Sequence, residues 1–100
     1  MSYKFYKNKK TKYHPSIEIF SDEEYWDNLE VTHSPTANGK YITLIDKLFE
    51  NDNKVSYVRK YVRHDKIRTR GQLLKKYRLS KRDLIQIEKY LDEHNKNKKS

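Results

Sequence analysis

The 100-residue chain contains no cysteine, which excludes disulfides, thiolate metal sites and a thiol nucleophile. It has no apolar run near the roughly 18 residues of a membrane span, so no membrane partner is expected. The basic N-terminus is not followed by an apolar stretch of the kind a secretory signal needs. A cytoplasmic location is therefore the expectation. Proline and glycine number two each, and one of each falls in "SPTANG", marking that stretch as a loop. Acidic residues are missing from residues 1–13, which hold five lysines, and nearly so from residues 54–82, where Asp65 stands alone against twelve Lys and Arg.

Aromatic residues are plentiful. At 13% of the chain, nine of them Tyr, they exceed what a disordered segment carries. Hydrophobic residues make up 34% and charged residues 37%, so one domain with a small core and a crowded charged surface is expected. The net charge of +9 is segregated, because residues 14–53 hold nine acids against two lysines. Such a division favours an anionic partner for one face, most simply a nucleic acid. A solvated basic surface is the plainer alternative. A membrane surface fits less well, since the basic stretch has no wide apolar face to insert.

The pattern along the chain predicts an α+β fold: a small curled antiparallel β-sheet, or partly open barrel, with a C-terminal α-helix. Residues 1–13 read as a basic N-terminal arm or edge strand. Residues 14–95 form a single barrel-like domain, and 96–100 a disordered tail. Within the domain, "HPSIEIF" and "YWDNLEVTH" alternate as strands across the turn "SDEE", with Ile17, Ile19, Leu29 and Val31 inward. "KYITLI" is a third strand and "KVSYVRKYVRHDKI" a fourth, the longest. "GQLLKKY" suits one or two helical turns. "LSKRDLIQIEKYLDEH" is a helix with Ser80 as N-cap and Leu84, Ile87 and Leu91 on one stripe.

Three pieces of this pattern resemble the PemK/MazF family of toxins, compact barrels that cut RNA. "HPSIEI" is similar to the family's strand with a basic residue and Pro before alternating apolar positions. "LEVTHS" is similar to the strand that ends at the active-site hydroxyl. "SYVRKYVRHDKI" followed by "LSKRDLIQIEKYL" is similar to the closing strand and helix. Together they span about residues 14–91. The resemblance implies an endoribonuclease toxin held in check by an antitoxin, either protein or RNA, and a homodimer whose groove holds RNA.

Metal-independent RNA cleavage uses the 2′-OH of the RNA as nucleophile, so the protein must move two protons and stabilise charge on phosphorus. No cofactor and no metal are expected, since no pair of histidines has helical ligand spacing. His14 can serve as base or acid, because imidazole exchanges protons near neutrality. Thr32 can hold a phosphate oxygen, and His33 offers a second acid–base group. Arg63 is the leading candidate for phosphate charge, with Asp65 to orient it or a histidine. His64 should face the other way from Arg63 and is held in reserve. Tyr57, Arg59, Tyr61 and Arg63 form an exposed ladder on which bases stack and phosphates bind. Lys66, Arg68 and Arg70 extend that track along the backbone of bound RNA.

Two other functions compete. One is a non-catalytic nucleic-acid-binding regulator of phage or plasmid origin, including a helix–turn–helix variant over residues 71–91. The other is a decoy that binds a host protein through its acidic residues 18–30.

Overall fold

Two eight-residue strands joined by a tight turn form the centre of the fold. The computed structural model describes residues 3–98. Strand β2 (His14–Ser21) runs antiparallel to β3 (Tyr25–Thr32), with Ile17 opposite Leu29 and Ser16 opposite Glu30. The Asp22 carboxylate makes the turn by accepting the amides of Glu24 and Tyr25, both at 2.8 Å. Strand alternation then sends Ile17, Leu29 and Val31 to one face, and Ser16, Asn28, Glu30 and Thr32 to the other.

The sheet grows outward from this hairpin. On the β2 side lies β1 (Phe5–Asn8), and beyond it β7 (Arg70–Leu73). On the other side, β3 is shared by two partners. Its first half pairs with β6 (Arg63–Lys66) and its end with β5 (Tyr57–Arg59), which in turn carries β4 (Tyr41–Thr43). The result is an antiparallel sheet of seven strands among the described residues, followed by helix α1 (Lys81–Lys98).

The sheet is not closed, which corrects the expectation of a β-barrel. Strands β4 and β7 end it on either side, and no ladder joins them among the described residues. The chain passes from β6 to β7 through one turn of 3-10 helix, Ile67–Thr69. That turn bridges the two flanks covalently while their backbones remain unpaired.

The apolar face and α1 enclose the core, built from Phe5, Ile17, Leu29, Val31, Ile42, Leu44, Leu48, Val58 and Ile87. The helix starts as the sequence predicts. Ser80 Oγ accepts the Asp83 amide at 3.2 Å, and the two side chains face each other. Asp83 is fully buried and also accepts the amides of Ile45 at 2.8 Å and Asp46 at 3.0 Å, clipping the loop after β4 onto the helix. Removing that carboxylate leaves buried amides without partners. Asp83→Ala is therefore expected to cost about 2–3 kcal/mol, read as a lower urea midpoint with unchanged slope.

Other expectations change on folding. Residues 5–8 are flanked by β2 and β7, so this segment is an interior strand. The long fourth strand is broken at residues 60–62, where the Lys60 amide bonds to Lys40 O and the Tyr61 amide to Arg59 O. "GQLLKKY" forms no helical turn, because β1 captures its first residues as β7. Gly71 is required there, since a Cβ would lie 2.8 Å from the Lys7 carbonyl oxygen. With a strand in that place, no first helix of a helix–turn–helix exists. The final helix continues through residues 96–98, where a tail was expected, while 99–100 lie outside the described residues.

Candidate active site and nucleic-acid interface

The polar face of the sheet has a buried half and an exposed half. In the buried half, Asn8, Ser16 and Asn28 are fully enclosed and Asp65 nearly so. Asn8 Nδ2 donates to Asn28 Oδ1 at 3.1 Å, and Asn28 Nδ2 donates to Asp65 Oδ2 at 3.0 Å. Arg63 closes this network with two parallel bonds, Nε to Oδ2 at 3.0 Å and Nη2 to Oδ1 at 3.1 Å. Burial pushes the Asp65 pKa up, but the donors of Arg63, Asn28 and Asn8 and the Arg63 charge outweigh it and hold the carboxyl below its ordinary value. Beside them, Trp26 is buried edge-on to Tyr6, and its Nε1 donates to Thr69 Oγ1 at 3.0 Å. Arg70 lies over the Tyr6 ring and pairs with Glu18.

The exposed half follows along β3. His14 Nδ1 lies 3.2 Å from Glu30 Oε2. A carboxylate accepts, so Nδ1 carries the proton and Nε2 is left for exchange. Continuing the β2–β3 register places His14 across from Thr32. The Thr32 Oγ1 accepts the Ser34 amide at 3.1 Å, leaving its hydroxyl proton to donate outward. His33 Nδ1 lies 3.1 Å from the Val55 carbonyl oxygen, which fixes the same tautomer and frees Nε2. His14, Thr32 and His33 line one hollow of about 70 Å³. The structure thus sets His14, Thr32 and His33 around one hollow, with each imidazole held through Nδ1.

Cations border this row. Tyr57 is opposite Thr32, and one further step of the same register sets Arg59 across from Glu30. Arg59 is exposed and also sits opposite Tyr41, whose ring packs edge-on to Tyr57. Arg63 is on the same face but pairs with Asn28, four residues along β3 from Thr32. At about 3.3 Å per residue that is roughly 13 Å, so Arg59 is the nearer arginine by register.

The remaining predicted residues scatter. Tyr61 stands in the break between β5 and β6, exposed, with the Arg59 guanidinium 5.8 Å from its ring centre. The ladder therefore loses one rung. Lys66 and Arg68 are exposed on β6 and the turn after it, while the charge of Arg70 is already met by Glu18. His64 points to the other face, 2.6 Å from Asp27 and stacked on Tyr25. Sequence reasoning missed Glu30. Its signal was present, since it shares the outward alternation of Thr32, but its approach to His14 depends on a register the sequence does not print. Among the described residues, no three His, Asp or Glu side chains converge as metal ligands.

Comparison with models of known families, with curated proteins and with solved structures finds no significant match. The shape itself, a small α+β domain with an antiparallel sheet and a C-terminal helix, is compatible with the PemK/MazF family and with a small RNA-binding or nuclease-like domain.

Proposed function

We propose that this protein is a metal-independent endoribonuclease that cuts single-stranded RNA, acting as the toxin of a toxin–antitoxin pair. The observation that carries the catalytic reading is the pair of histidines around Thr32, each anchored through Nδ1 with Nε2 left for proton transfer. The toxin role rests on the resemblance of residues 14–91 to PemK/MazF segments. It implies RNA as substrate, an antitoxin as partner and a homodimer as the working form.

In this reading one imidazole takes the proton of the 2′-OH as the 2′-oxygen attacks phosphorus. The P–O5′ bond breaks, and the second imidazole delivers a proton to the departing 5′-oxygen. Charge that builds on the phosphoryl oxygens meets the Thr32 hydroxyl and the Arg59 guanidinium, the latter unable to lose its proton. Glu30 keeps His14 in one tautomer and orientation, as an anchoring carboxylate does in other histidine catalysts. Tyr57 and Tyr41 offer rings for the flanking bases.

The test is incubation of the purified protein with a mixed single-stranded RNA pool in EDTA, followed by mapping of the ends. Fragments with 2′,3′-cyclic phosphate and 5′-OH termini are expected. Expression without a neighbouring antitoxin gene should arrest growth, and His14→Ala should relieve the arrest. Salt-sensitive RNA binding with no cleavage would overturn the nuclease reading in favour of a nucleic-acid-binding regulator.

A further inference from the structure

We infer that a second subsite for single-stranded RNA lies beyond the histidine pair, in a basic groove between the loop after β4 and the segment joining β7 to α1. The inference rests on the nuclease reading for the identity of the strand, but on separate residues. The groove has a volume of about 860 Å³ and adjoins a further hollow of about 350 Å³. Both fall within the roughly 300–1,000 Å³ range of small-ligand pockets, so they can accommodate nucleotide units.

Three features fix its occupant. The first is continuity. Tyr77 lines the hollow at His14 and Thr32, the basic groove and the hollow beyond, so one ring forms a wall common to all three. Phe49 lines the first two and lies 4.9 Å from Tyr77 between ring centres. The second is charge. Lys47, Lys75, Lys76 and Arg78 line the groove against one acid, Glu50. Among the described residues, none of these four cations takes part in an ion pair. The third is the mixture itself. Partly exposed aromatic rings between unpaired cations suit a strand whose bases are free to stack while its phosphates are neutralised. A duplex keeps its bases in its own stack and gains nothing from Phe49 or Tyr77.

A strand cut at His14 and His33 would therefore continue past Phe49 and Tyr77 to Lys75, Lys76 and Arg78. This path leaves the sheet on the side away from the tyrosines of β4 and β5. It also gives a role to the cations after residue 74, which the sheet face does not use.

The test compares the wild type with Lys75→Glu/Lys76→Glu, two exposed positions whose change spares the core. A 12-nucleotide single-stranded RNA, 2′-O-methylated at each position to prevent cleavage, is titrated by fluorescence anisotropy over a series of salt concentrations. A trinucleotide substrate is followed by cleavage. The double variant is expected to bind the 12-mer about tenfold more weakly, with a log–log salt slope smaller by about 1.4 for two lost phosphate contacts. Trinucleotide cleavage should stay at the wild-type rate. An unchanged affinity and slope for the 12-mer would overturn the subsite and leave the nuclease intact. A duplex of the same length bound as tightly as the single strand would overturn it too. If no RNA is cleaved but 12-mer binding still depends on Lys75 and Lys76, the nuclease reading falls and the groove stands.

Discussion

His14→Ala is expected to slow RNA cleavage by about 10²–10⁴-fold, the usual worth of one positioned proton-transfer group. His33→Ala should fall in the same range. The double variant should be little slower than either single one, because both imidazoles serve the same displacement. Glu30→Gln keeps a hydrogen-bond acceptor beside Nδ1 but removes the charge, so its loss should be smaller. Rates of single-turnover cleavage at one fixed pH supply the measurement. Wild-type rates in either histidine variant would end the two-imidazole mechanism.

The second large effect is on stability. Asp65→Ala takes the acceptor away from Arg63, Asn28 and Asn8 at once, inside a nearly closed part of the sheet. Removing one partner of a buried pair costs about 3–5 kcal/mol, which for a domain of this size lowers Tm by roughly 12 °C or more. Asp65→Asn should lie between, since it keeps an oxygen acceptor and loses the charge. The acid limb gives the sign. Because the folded pKa of Asp65 is held below the usual carboxylate value, its contribution is complete above about pH 4 and is lost as pH falls through the folded value. Thermal melts between pH 2.5 and 7 should therefore draw closer for wild type and Asp65→Ala toward the acid end. Curves separated by a constant amount would contradict this account.

What the sequence reveals and conceals follows from the range of each interaction. The Ser80 cap and the stripe of Leu84, Ile87 and Leu91 are set within a few residues, and the helix begins where they place it. The inward positions Ile17, Leu29 and Val31 are legible for the same reason, because alternation is a property of one strand. Cross-strand register is not. His14 and Glu30 are sixteen positions apart, and only the hairpin's pairing makes them neighbours. The break at Lys60–Val62 is hidden for a related reason. It arises because β3 accepts two short partners along one edge, and a continuous Tyr–Arg alternation carries no mark of a change of partner position. "GQLLKKY" is misleading because its helical spacing is overridden by the free edge of β1. Openness of the sheet is likewise a matter of which edges meet, and no local residue pattern records it.

One consequence attaches to β3 alone. Its even-numbered residues from Asn28 to Thr32 belong to the polar network and to the row proposed to act on RNA, while Leu29 and Val31 between them fill the core. A slip of this strand by a single step would bury Glu30 and turn Leu29 outward, losing hydrophobic burial and the His14–Glu30 contact in the same event. The short Asp22 turn makes the correct alignment entropically cheap to find. Selection for a well-packed interior thereby also fixes the arrangement of Glu30 and Thr32, with no separate check on it.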